Sequence, residues 1–185
     1  MSIDRLDPPV VDLTAPEPCA ECGFSASALA PEEATGALRA LPQRWRSTLG
    51  PDEPEVLAGR APGGWSALEH AGYVRDVLHA LDIRIQRLLR EDRPVLPGTH
   101  VTPPAGANEQ GMAVVLAALA VSAEQLARTI ETATASSWSR GGLRAGRRVT
   151  ALELVHEALH AGGHHLGQAR EAIETVRGSA PSAQP

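Results

Sequence analysis

The 185-residue chain predicts an all-α fold, an up-down-up-down four-helix bundle, on three observations. Hydrophobic residues make up 43% of it and aromatics only 3%, so a core must be built from Ala, Leu and Val, which pack helices better than sheets. Ser66-Ala67-Leu68-Glu69 and Thr150-Ala151-Leu152-Glu153 are capping boxes, in which a hydroxyl and a carboxylate satisfy reciprocal backbone donors at a helix start. Leu68, Ala71, Val74, Leu78, Leu81, Ile85 and Leu88 then recur at helical spacing as one apolar stripe.

Residues 1–30 read as an extended tail, with Pro8, Pro9, Pro16 and Pro18 and no helical period in its first part. Inside the tail stands Cys19-Ala20-Glu21-Cys22-Gly23, a CxxCG knuckle. Two thiolates at this spacing form half of many structural zinc sites, and a second CxxC is absent. A zinc here needs histidines from elsewhere or from another chain. An idle reduced pair and a redox pair are the other readings, though no strand precedes the motif as a redox CxxC usually requires.

The bundle domain is expected over residues 31–176. Its first helix, 31–49, opens on Pro31 with Glu32 and Glu33 at the positive end of the dipole, and Pro42 should kink or split it. The second, 66–90, carries His70 at the edge of its apolar stripe, Tyr73 just outside it and His79 on the far side. A proline-rich loop over 93–106 holds His100. Asn108 is the expected N-cap of the third helix, 108–134, and Gly141–Arg148 reads as a flexible basic loop able to meet an acidic ligand. The fourth helix covers 150–176, and residues 177–185 form a frayed tail.

A net charge of −5 with no basic block argues against nucleic acid as a partner. No apolar run approaches 18 residues, so no membrane span is expected. The N-terminus lacks the charged-then-apolar order of a signal peptide, and with the CxxC pair this suggests a cytoplasmic, reducing location. A small-molecule substrate is the expected partner, with a homodimer as a further expectation.

The densest chemistry lies in the fourth helix. Four of the seven histidines, His156, His160, His164 and His165, fall within ten residues. His156, His160 and His164 share one helix face, where neighbouring Cβ atoms are about 5–6 Å apart, and imidazoles so spaced can share a divalent ion. That face lies away from the apolar stripe of Val155, Leu159, Leu166, Ala169 and Ile173, so a solvated polar surface is the competing reading. Gly162 and Gly163 cost about 1 kcal/mol each inside a helix, which a close approach or a widened cavity must offset.

The segment Trp65-Ser66-Ala67-Leu68-Glu69-His70-Ala71-Gly72-Tyr73-Val74-Arg75-Asp76-Val77, with His160-x3-His164-His165, resembles the DinB-like superfamily, in a branch that carries an N-terminal CxxCG. The resemblance implies a DinB-like four-helix bundle in which three histidines hold a divalent metal, zinc or nickel, one from the second helix and two from the fourth. It also implies a thiol-linked transferase, isomerase or lyase, related to mycothiol-dependent maleylpyruvate isomerase and thiol S-transferases, acting on a small electrophile with a low-molecular-weight thiol. Carried onto this chain, His160 and His164 are the pair from the fourth helix. The position eight residues after Trp65 is Tyr73 rather than histidine. His70, one turn earlier, is a substitute ligand, leaving Tyr73 as a general acid. His165-Leu166-Gly167-Gln168 resembles the H-x-G-Q ending of the family, which brings His165 into the ligand set as well. The alternative is a binding or accessory protein with a degraded site, or a structural Cys2His2 site formed by Cys19, Cys22 and two histidines. The open and closed sites exclude each other if they share histidines, and the entropy of ordering the tail weighs toward the open one.

Overall fold

The computed structural model describes residues 18–26, 30–98 and 104–179. Its elements in order are α1 (Pro31–Leu49), α2 (Pro54–Ala58), α3 (Ala67–Arg90), β1 (Val95–Leu96), α4 (Ala107–Glu131), a 3-10 turn (Ala135–Ser137), β2 (Gly141–Arg144), β3 (Arg147–Thr150) and α5 (Ala151–Ser179). The four long helices form a bundle around one core that includes Leu38, Trp45, Leu78, Leu119, Leu126, Leu154 and Leu166.

Both capping boxes form. Ser66 Oγ accepts from Glu69 N at 3.1 Å while Ser66 N donates to Glu69 Oε2 at 2.9 Å. Thr150 and Glu153 repeat the exchange at 3.2 and 2.6 Å. Pro42 does not divide α1, because Leu38, Leu41, Trp45 and Leu49 are buried on both sides of it and hold the helix in register. The expected N-cap role of Asn108 is also corrected. Gly106 caps α4 with φ +79°, and Asn108 Oδ1 instead accepts from Ser66 Oγ at 2.6 Å. The backbone at Gly111 departs from helical values, and the helix ends at Glu131 rather than 134. At the other end of the chain α5 continues through Ser179, past the expected limit at 176.

The helix directions differ from the alternating order expected. At one end Ser66 meets Asn108, and at the other Asp82 accepts from Thr129 Oγ1 at 2.5 Å, so α3 and α4 run parallel. His70 of the α3 start meets His165 well along α5, while Leu88 near the α3 end lies by Gly142 just before α5, so α3 and α5 are antiparallel. Leu41 packs on Gly162, and Arg170 Nη2 donates to Thr48 Oγ1, so α1 and α5 run parallel. The order is up-down-down-up. The connection from residue 91 to 106 makes this possible: at about 3.3 Å per residue it outreaches the roughly 36 Å of α3 and returns the chain to the starting end.

The strand-free reading is corrected as well. β1 pairs in parallel with β2, and β2 pairs antiparallel with β3, in a small sheet at the end where α3 finishes and α5 begins. The basic stretch read as a loop is thus a hairpin, turned by Ala145 and Gly146, both at positive φ. By length and mean hydropathy (1.5) α4 meets the measure of a membrane-crossing helix. Its Val115, Leu116, Leu119, Ala123, Leu126 and Ile130 are bundle core, while Val114 and Val121 are exposed.

Candidate metal centre and the adjoining histidine cluster

The knuckle folds back onto the middle of α5. Gly23, at φ +70°, closes its turn, with Gly23 N donating to Cys19 O and Cys19 N to Phe24 O, each at 2.8 Å. Phe24 then packs on His160 and His156 with ring centroids 5.3 and 6.4 Å apart. This covers the helix face that sequence periodicity leaves to solvent, and His160 is only 5% exposed.

One ligand atom from each of Cys19, Cys22, His160 and His164 lies within 4.8 Å of all the others. A tetrahedral zinc with bonds of about 2.3 Å to sulfur and 2.0 Å to nitrogen needs separations of roughly 3.3–3.8 Å, a small contraction from this arrangement. Two features fit the set to a metal. His160 Nε2 is buried with no hydrogen-bond partner among the described residues. His164 presents Nδ1 to Cys19 Sγ at 3.7 Å, and its Nε2 faces Glu21 Oε2 at 3.2 Å. A carboxylate on the far nitrogen fixes the tautomer that leaves Nδ1 as the ligand. Both cysteines are free thiols.

Electrostatics agree with that use. Burial pushes His160 down to about 4, with the neighbouring His164 adding to the fall and Glu21 opposing it. It is therefore neutral at pH 7, as a ligand must be. For Cys19, burial acts upward but is outweighed by hydrogen bonds from the backbone of Cys22 and Glu21, so the thiol lies below its usual value. Burial raises Cys22.

The other site candidates gather separately, between α3 and α5. His70 Nδ1 lies 3.0 Å from His165 Nδ1, so one imidazole donates and the other accepts. Trp65 stacks on His165 at 5.9 Å, and Tyr73 sits 4.4 Å from the same ring. Burial takes His70 down to about 4 and His165 to about 3, and it lifts Tyr73 to about 12. His70, Tyr73 and His165 are thus not brought to the four-donor set, although His164 and His165 are consecutive. His156 lies outside that set, His79 is exposed on the polar side of α3, and His100 falls outside the described residues. Sequence reasoning did not single out Glu21 or Phe24. Their only signal was position, inside and just after the knuckle.

A family model described as the DinB superfamily matches residues 37–169. A solved structure from Bacillus subtilis, YfiT, described as a probable metal-dependent hydrolase with an unusual four-helix bundle topology, superposes with a TM-score of 0.71 at 16% identity. The match covers 90% of this chain and 99% of that one. No curated protein matches the sequence.

Proposed function

Because the chain belongs to the DinB superfamily, we propose that it is a metal-dependent enzyme of that fold with its roles divided between two clusters. Cys19, Cys22, His160 and His164 hold a divalent ion, and His70, His165 and Tyr73 handle protons on a small-molecule substrate. The observation that carries the metal assignment is the convergence of four donor atoms within 4.8 Å. Two thiolates and two imidazoles suit zinc over harder ions and over nickel. A bound ion supplies cross-linking here, because four protein donors close a tetrahedral sphere and tie the knuckle to α5. Reduced thiols are a condition for it, which suits a reducing compartment such as the cytoplasm.

The chemistry then falls to the α3–α5 face. The single proton shared between His70 Nδ1 and His165 Nδ1 orients both rings and puts them in opposite tautomers. One Nε2 thereby accepts a hydrogen bond from a substrate and the other donates one. Tyr73, lifted to about 12, stays protonated and donates. Such a set serves isomerisation or thiol addition at an electrophilic carbon, in keeping with the transferase and isomerase activities that the resemblance implies. Closed coordination also favours a second reading, a non-catalytic bundle with a structural ion.

Metal analysis of protein purified without added metal tests the assignment. One zinc per chain is expected, lost in Cys22→Ser and His164→Ala and kept in His165→Ala. Zinc kept in Cys22→Ser but lost in His165→Ala overturns it. Thiol conjugation of chlorodinitrobenzene, lost in His165→Ala with zinc retained, separates the enzyme from the structural reading.

A further inference from the structure

Arg84 of α3 is 6% exposed, yet among the described residues no carboxylate bonds to it. Its Nε and Nη2 donate to the carbonyls of Pro97 and Gly98 at 3.3 and 2.9 Å, and its Nη1 is buried with no hydrogen-bond partner among the described residues. Arg144 enters from β2 and sets Nη1 2.7 Å from Glu157 Oε2, both side chains being 17% exposed. The angle leaves that nitrogen, too, without a hydrogen bond. Burial draws Arg84 below the usual guanidinium value, while Glu157 supports its charge and Arg144 opposes it. Arg144 pairs with Glu157, and among the described residues no carboxylate pairs with Arg84, so one positive charge is left over. A mostly buried cation without a partner is costly, and neutral carbonyls do not balance it.

Along α3 this group lies about 16 Å beyond Tyr73, and along the antiparallel α5 Glu157 lies about 12 Å before His165. Burial is the main cause that raises Tyr73, and the Glu157 charge adds to it. The charged group and the histidine pair thus belong to one face of the α3–α5 interface.

We propose that this face binds a monocarboxylate with an extended body, its charge on Arg84 Nη1 and beside Arg144 and its far end toward Tyr73 and His165. A singly charged carboxylate cancels the surplus, whereas a doubly charged phosphate reverses it. Planar forks of N–H donors match the carboxylate plane. The inference rests on the reading of this face as the substrate side and names the substrate class.

The test is titration of the zinc-loaded full chain with butyrate, its neutral isostere butyramide, and inorganic phosphate, followed on the arginine side-chain NH resonances. Butyrate should bind at least tenfold more tightly than butyramide and move the Arg84 and Arg144 signals. Arg144→Gln and Arg84→Gln should each weaken butyrate at least tenfold. Arg84→Lys, which keeps the charge, covers the case in which Arg84→Gln does not fold. Equal affinity for butyrate and butyramide, unchanged affinity in Arg144→Gln, or tighter phosphate binding overturns the proposal. Zinc is measured in the same samples. A chain that binds butyrate without zinc sinks the metal assignment alone, and one that holds zinc without binding butyrate sinks this inference alone.

Discussion

Cys19 Sγ stands 3.7 Å from His164 Nδ1 across 145 positions of the chain. This contact sets the knuckle against the bundle. Ordering backbone costs roughly 1–2 kcal/mol per residue, about 9–18 kcal/mol over residues 18–26, and structural metal ligation of around 10–16 kcal/mol is of the size needed to offset it. Deleting residues 1–23 should therefore abolish metal binding. With zinc at a thousandfold its Kd, loss of the site should lower stability by about 4 kcal/mol. Parallel denaturation of the wild-type and truncated chains, with and without chelator, measures this.

Glu21 acts on His164 and not on the metal. Glu21→Gln should weaken zinc about 10–100-fold through loss of the carboxylate–imidazole contact. Chelator competition reads the affinity, and the metal-free protein should melt at an unchanged temperature.

Gly162 and Gly163 behave oppositely. A Cβ at Gly162 meets Leu41 Cδ2 at 2.6 Å and Cδ1 at 2.9 Å, in a side chain that is 1% exposed, whereas a Cβ at Gly163 meets nothing within 4 Å. Gly162→Ala should destabilise by about 1–3 kcal/mol through overpacking between α1 and α5. Gly163→Ala should stabilise by up to about 1 kcal/mol through helix propensity. Urea titration of both variants decides it, and equal signs would refute the close-approach account.

Acid should loosen the α3–α5 interface. His70 is held at about 4 by burial, below the ordinary value of 6.5. The unfolded chain therefore binds the proton first, and stability falls as pH drops from about 6.5 toward 4. The contribution of His70 has a ceiling of about 3 kcal/mol, at 1.36 kcal/mol per pKa unit. In a Cys22→Ser background, which removes the metal, His70→Gln should flatten this pH slope. An unchanged slope would refute the assignment.

His79 and His164 give a further contrast. His79 is exposed on α3, so His79→Ala should leave zinc content and melting temperature as they are, while His164→Ala removes both the ion and its stabilisation.

Local chemistry in the sequence determined where helices begin, which faces of them are apolar, and which residues carry ligand atoms. Ser66 with Glu69, Thr150 with Glu153, and the stripe from Leu68 to Leu88 act within one or two turns, so they are readable from spacing alone. The tertiary structure decided what spacing does not encode. The 91–106 connection is long enough to return the chain, and α4 starts beside Ser66 and runs parallel to α3. β1, only two residues long, exists because β2 lies beside it, so no local alternation marks it. His164 and His165 are neighbours in sequence, yet the helix turns their side chains about 100° apart. One joins Cys19 and Cys22, and the other joins His70 and Tyr73. Only the packing of the knuckle on one side of α5 and of α3 on the other determines which histidine serves which cluster.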